Sequence, residues 1–312
     1  MFVIHRAILE TIVYYDVFEY PLTEFEVWKL LLASDGDGES VSNISLSDVR
    51  GSLRGSFLSK RIGRVNGFVF LRGREKLVAL RVRREKLASK NISIARRIAN
   101  ILRFFPFVRM VGLTGSLSMK NVDRDSDIDF LIVLRSGYIW TGRAIATALL
   151  HLFGLRRYGT KVSRRACLNF WVSSSSLEIR FKDIFSSNEY FFIIPLFGER
   201  VFRKFQETNM WIRRFRPHFE LPVAMYPITI ADTLWSQVVR DVGEVLFAGL
   251  KLENVLRVLQ KKKIDANPKT RTPEGIISAT DDALIFLLHP RGPEVFEKFR
   301  QRMSEVEASV VA

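Results

Sequence analysis

At 312 residues the chain is long enough for two or three domains, and its 47% hydrophobic and 26% charged composition excludes a disordered or fibrous class. A single cysteine, Cys167, excludes an internal disulfide, and four scattered histidines offer no zinc-ligand spacing. The formal net charge of +15 is concentrated: residues 60–110 hold 15 Lys/Arg against 2 Asp/Glu, whereas residues 1–59 hold 4 against 9. A polyanionic partner, nucleic acid above all, is therefore expected for the basic 60–110 segment. No uncharged apolar run approaches the ~20 residues of a membrane helix. The apolar start, broken by Glu10 and Asp16, lacks the basic leader of a signal peptide. The expectation is a cytoplasmic chain with no membrane partner.

In chain order, residues 3–15 read as a helix, after which Pro21 punctuates. Thr23 with Glu26 forms a capping-box pattern that opens a second helix through FEVWKLLLA, and the acidic SDGDGES stretch ends it as a loop. Ser45 with Asp48 repeats the pattern for a third helix. Leu46, Val49, Leu53 and Phe57 share one of its faces, and Arg50 and Arg54 occupy the other. Asn66-Gly67 between short apolar runs predicts a β-hairpin. Three helices followed by a hairpin is the order of a winged helix, assigned to residues 1–74. Its exposed cations Arg50, Arg54, Lys60, Arg61, Arg64 and Arg72 are the nucleic-acid-binding candidates, with the third helix in a groove and the hairpin against phosphates.

From Glu75 to Phe105, apolar residues at spacings of three, four and seven predict one long connecting helix, basic between its apolar positions, over 75–105. Residues 106–185 alternate strand and helix: VRMVGL, then DIDFLIVL, an apolar helix around YIWTGRAIATALLHLFG, and ACLNFWV. This reads as a small α/β module. Residues 186–312 read as a helical region packed on it.

The stretch TGSLSMKNVDRDSDIDF, residues 114–130, carries the chemistry. Asp127 and Asp129 stand one residue apart at the start of a strand, so period-2 alternation puts them on one face. Two carboxylates there repel unless a cation lies between them. Magnesium or manganese suits the oxygen donors and shares its shell with nucleotide phosphates. Gly115-Ser116, between strand and helix, offers backbone N–H groups to a phosphate that a side chain would otherwise keep away. Lys120 and Arg124, between the two halves, are candidates for further phosphate contact. A calcium loop is excluded, because the positions that need Gly and Glu hold Ile128 and Leu134.

Gly115-Ser116, ten intervening residues and Asp127-Ile128-Asp129-Phe130 resemble the signature of the DNA polymerase β-like nucleotidyltransferase superfamily over about residues 107–175. With the flanking regions, the chain resembles an uncharacterised prokaryotic branch of it. The resemblance implies an α/β (α+β) fold: a small mixed-sheet nucleotidyltransferase core between an N-terminal winged helix and a C-terminal helical region. It also implies Mg²⁺ or Mn²⁺ on Asp127 and Asp129 as catalytic and metal residues, an NTP held near Gly115, Ser116, Lys120 and Arg124, and transfer of a nucleoside monophosphate to a hydroxyl. The superfamily's third carboxylate comes from the following strand, where the expected position holds Asn169, with Glu178 or Asp183 as substitutes if the register differs. Cys167 reads as a packed core thiol. The rival is a winged-helix nucleic-acid-binding regulator with a degenerate or ligand-sensing core. A partner protein's hydroxyl is the other acceptor class.

Overall fold

The first helix, α1 (Phe2–Val17), stops where Glu19 takes a left-handed turn ahead of Pro21. The computed structural model describes residues 2–33, 38–222, 226–271, 273 and 275–308. A two-residue strand β1 (Leu22–Thr23) leads into α2 (Glu24–Lys29). The Thr23 side chain accepts from the Glu26 N–H, and the Glu26 carboxylate accepts from the Thr23 N–H. The helix is shorter than the FEVWKLLLA reading because Leu30–Ala33 is buried as extended chain. Its backbone finds partners in the Thr11 hydroxyl and the Phe215 carbonyl. The core of the expected acidic loop, residues 34–37, lies outside the described residues.

A short α3 (Gly38–Ser42) precedes α4 (Leu46–Arg54), which Ser45 and Asp48 cap reciprocally. Gly55 breaks that helix before α5 (Ser56–Ser59), so Phe57 leaves the expected apolar face and lies under the Arg61 guanidinium, 3.9 Å from the ring centroid. The hairpin β2 (Ile62–Val65) and β3 (Phe68–Leu71) turns at Asn66-Gly67, both with positive φ, as a two-residue turn of this composition requires. β1 pairs antiparallel with β3, giving a three-stranded sheet in the order β1-β3-β2.

The long helix α6 (Lys76–Leu102) buries Leu77 and Ile98 of the positions its spacing marks, leaves Leu80, Leu87, Ile94 and Ile101 half-buried, and centres its buried face on Ala88, Ala95, Ala99 and Leu102 instead. It leads to a six-stranded mixed sheet, order β7-β4-β5-β6-β9-β8. β4 (Val108–Leu113), the single-turn α7 (Gly115–Ser118), β5 (Ile128–Leu134), α8 (Ile139–Leu152) and β6 (Ala166–Ser173) come from the expected α/β module. Only β5 and β6 run parallel. One sheet face packs on α6 and α8 through Ile132, Trp140 and Trp171, and the other packs through Leu131, Val133 and Phe205.

The C-terminal region is helical but also completes this sheet. After α9 (Ile184–Phe191), β7 (Ile194–Phe197) adds to the β4 edge; then follow α10 (Glu199–Thr208), α11 (Leu234–Gly249) and α12 (Glu253–Ala266). The hairpin β8 (Ile276–Ala279) and β9 (Ala283–Leu287) adds to β6, and α13 (Gly292–Ala308) returns to the N-terminal region. Three short strands therefore join the helices there, a departure from the purely helical reading. Among the described residues no helix is long and apolar enough to cross a membrane.

Asp16, at the end of α1 and 3% exposed, ties these parts together by accepting from Arg74 at 3.1 Å and from Arg302 of α13. Removing one member of a buried ion cluster strands the others in a low-dielectric setting. Asp16→Ala is expected to destabilise the protein by about 2–4 kcal/mol in urea denaturation. Equal stability of the variant would remove Asp16 as the clasp between α1 and α13.

Candidate functional site

β5 sits between β4 and β6, so its N-terminal end is bracketed on both sides. The Thr114 N–H donates to the Asp129 carbonyl at 3.0 Å, which fixes the turn into α7 beside β5. Gly115 in that turn has φ +68, a conformation few residues other than glycine adopt. A Cβ built on it would stand 2.6 Å from Asp129 Oδ2. The glycine is thus required by the carboxylate itself. On the other side, the Ile128 N–H donates to the Arg165 carbonyl and the Arg164 N–H to the Ser126 carbonyl, holding the motif loop to the approach of β6.

Asp127 and Asp129 share one face, as alternation requires, and the Cys167 sulfur joins them. One ligand atom from each lies within 4.8 Å of the others. This overturns the expectation for Asn169. In the parallel pairing Asp129 lies opposite Cys167, and a register shift follows before Leu131 meets Phe170. The residue facing the aspartates is therefore a thiol. Nor do the two substitutes serve: the Glu178 carboxylate pairs with Lys182 at 2.5 Å, and Asp183 caps α9 by accepting from the Ser186 N–H. Cys167 is buried, as a core thiol would be, but it borders the acidic pair rather than apolar packing alone.

The electrostatics follow from this crowding. Burial, and then the neighbouring Asp127 charge, push the Asp129 carboxyl up to about 6, against a hydrogen bond from the Cys167 thiol that favours the carboxylate. Burial and both aspartates push the Cys167 thiol well up, so it remains protonated and donates to Asp129. Arg157, from the segment between α8 and β6, donates to Asp127 Oδ2 at 2.6 Å and stands 3.9 Å from the Cys167 sulfur. It is the local counter-charge. Glu189 on α9 was not singled out in the sequence. Burial pushes its carboxyl up to about 7, with Asp129 adding and Arg291 opposing. Nothing in its local sequence marks it, because the shift comes from burial by tertiary packing.

A family comparison bears on this stretch. The nucleotidyltransferase domain family matches residues 95–179. These residues form a nucleotidyltransferase domain. It is of the polymerase β-like type, and it spans the last turns of α6 through β6, with the acidic pair inside. No curated protein and no solved structure matches the chain.

The remaining sequence candidates divide in two. Around the nucleotidyltransferase motif, Lys120 is exposed with a left-handed backbone. Arg124 lines a cleft of about 330 Å³ together with Arg83, Lys86, Lys90 and Asp123. In the N-terminal region, Arg50 and Arg64 both reach Glu24, at 3.3 and 3.7 Å, Arg72 donates to the Ser59 carbonyl, and Arg54 and Lys60 are exposed. These residues are not part of the acidic cluster. Arg143, on α8, donates to the Gln260 side chain and lies over the Phe286 ring.

Two hard carboxylate oxygens suit a magnesium or manganese ion, whereas a protonated thiol adds no charge and is a poor partner for either. The donor set fits a divalent ion held by Asp127 and Asp129. Proton linkage then gives a signed expectation. A carboxyl raised to about 6 in the folded state favours folding fully below the unfolded value of about 4, and that contribution is lost as pH rises through about 6. Asp129→Asn should therefore stabilise the metal-free protein by about 1–2 kcal/mol near neutral pH and by about nothing near pH 4, in paired urea titrations. A uniform effect across pH would show that the Asp129 charge is not under strain. Gly115→Ala should lose at least about tenfold in Mn²⁺ affinity, because its Cβ displaces the Asp129 carboxylate. Unchanged affinity would contradict that contact.

Proposed function

We propose that the domain binds an NTP with Mg²⁺ or Mn²⁺ and transfers a nucleoside monophosphate to an acceptor hydroxyl. The observation that carries this reading is the paired Asp127 and Asp129 carboxylates packed against the Gly115 turn. In it, Asp127 and Asp129 hold the metal, which when bound neutralises polyphosphate charge and polarises the reacting phosphoryl group. Gly115 and Ser116 take the phosphates by backbone N–H, with Lys120 and Arg124 beside them. Arg157, which donates to Asp127, holds the charge that a bound metal would replace there and would be free to pair with the polyphosphate. Cys167 orients the Asp129 carboxylate through its S–H bond.

A neutral thiol is a poor acceptor for the proton of an attacking hydroxyl. Glu189, whose carboxyl is raised to about 7, is matched to proton uptake near neutral pH, so we assign it the acceptor-side base. The acceptor is read as polyanionic. The cleft formed by Arg83, Lys86, Lys90 and Arg124 opens beside the motif loop, and Ser163 links that loop to the basic 156–165 segment by donating to the Arg124 carbonyl at 2.8 Å.

The N-terminal residues 1–74 are read as a winged helix that docks a partner. The sheet order β1-β3-β2 around α2 and α4 supports it. A second reading, a nucleic-acid-binding regulator whose core senses a nucleotide without turnover, is favoured by the thiol at the third position.

Titration calorimetry with each of the four common NTPs and Mg²⁺ separates these outcomes. Binding is expected for the native protein and a loss of at least about tenfold for Asp127→Ala/Asp129→Ala. Equal affinity would end the metal-site reading. Glu189→Gln should keep nucleotide affinity while lowering turnover by about 10²-fold or more. Binding without any turnover on RNA, DNA or protein acceptors would favour the sensor.

A further inference from the structure

Helix α11 is docked with its polarity reversed. Its inward face is polar: Glu244 accepts from both Arg109 and Arg135 at 2.6–2.9 Å and from the Phe107 N–H at 2.9 Å. Arg240 donates to the Arg103 carbonyl at 2.8 Å and to Asp232 at 2.7 Å. Ser236, fully buried, donates to Asp232. The outward face is apolar, with Leu234 81%, Trp235 71% and Val245 76% exposed. At 100° per residue, Leu234, Trp235, Val238, Val239, Val242, Val245, Leu246 and Leu250 fall within one arc of about 160° that contains no charged residue, while Phe247 and Ala248 lie outside it and are half-buried. Val255, Val258 and Leu259 of α12 are exposed as well.

Buried ion pairs contribute little net stability, whereas each large apolar side chain left in water forgoes about 1.5–3 kcal/mol. A helix that buries its ions and exposes its valines is therefore stable in this pose only with its outer face covered. The exposed apolar side chains of α11 alone present on the order of 800 Å², above the few hundred usual on a monomer and at the level of one side of a stable dimer.

The pattern along the arc says what covers it. Val242 lies at its centre. Three residues to either side stand Val239 and Val245, and four to either side stand Val238 and Leu246. Eight to either side stand Leu234 and Leu250. At seven the pair is Trp235 and Gly249, the largest residue against the smallest, and among the described residues nothing lies within 4 Å of where a Gly249 Cβ would be. Offsets of 0, 3, 4, 7 and 8 define a helix-pairing seam, and their mirror symmetry about one residue is what an antiparallel pair with a two-fold axis requires. A membrane-surface helix would carry Lys or Arg beside the apolar arc, but the polar flanks here are Asp232, Gln237 and Asp241.

We propose that the protein forms a two-fold homodimer through antiparallel α11 helices, with Val242 on the axis and Trp235 of each copy seated over Gly249 of the other. Sedimentation equilibrium or light scattering on the full chain at micromolar concentration should return twice the mass of one chain. V242D should return the mass of one chain with unchanged far-UV circular dichroism, because that side chain is exposed within a single copy. G249W should weaken the dimer at least tenfold by filling the Trp235 seat. Should V242D fail to fold, V242C treated with a short bis-maleimide provides an independent reading. A covalent pair absent from the native protein, whose cysteine is buried, is expected, and its absence overturns the proposal. A native protein with the mass of one chain overturns it too, whether that chain stays free or floats with anionic vesicles. So does a dimer that V242D and G249W leave intact.

Discussion

Two carboxylates forced onto one face of a sheltered strand end are the constraint around which the centre of the molecule is arranged. β-Sheet alternation puts Asp127 and Asp129 together at the entry to β5, and the β5–β6 pairing sets Cys167 opposite Asp129. The repulsion is visible in the raised Asp129 carboxyl, and three neighbours answer it. Arg157 supplies charge to Asp127, Cys167 supplies a hydrogen bond to Asp129, and Gly115 supplies the room that the Asp129 side chain occupies. Each answer is partial. An arginine that is half-exposed screens weakly, and a thiol is a weak donor. The site therefore keeps an appetite for a cation with more charge and less bulk.

How much of this was legible along the chain depended on the range of the interaction. Thr23 with Glu26, Ser45 with Asp48, and Asn66-Gly67 act within four residues, and each forms as its pattern dictates. The shared face of Asp127 and Asp129 is also local, since it needs only alternation. The identity of the third group is not local. It turns on how β6 registers against β5, and that register sets Cys167, two residues before Asn169, opposite Asp129. No single-chain pattern carries that information. The raised carboxyl of Glu189 likewise comes from burial by tertiary packing, which no spacing rule anticipates.

The missed strands have a similar cause. β7 is four residues containing Pro195, and proline within a strand argues against a ladder position. It survives here at the sheet edge, where its missing N–H is not needed by a second neighbour. β8 and β9 are four and five residues long and fall below the length at which alternation separates from helix periodicity. Their effect on the centre is considerable. They give β6 a second neighbour, and the chain leaving β9 brings Arg291 to where its charge acts on both Asp129 and Glu189.

The replacement of a carboxylate by a thiol also changes what the centre can balance. Three carboxylates facing one recess would carry three negative charges and call for two divalent ions. With Cys167 neutral, Asp127 and Asp129 carry two at most, and one divalent ion or Arg157 with a proton on Asp129 neutralises them. A divalent ion held by Asp127 and Asp129 would then meet the same charge that Arg157 and one proton can balance. A proton acceptor held apart from the metal ligands, on a helix rather than on the sheet, is the arrangement that such a centre leaves open to Glu189. Separating the base from the ligands removes the competition a third carboxylate faces, because its lone pairs are not shared with the ion. With the thiol in place, the strand end offers carboxylate ligands but no second basic oxygen, so a proton acceptor has to come from another element.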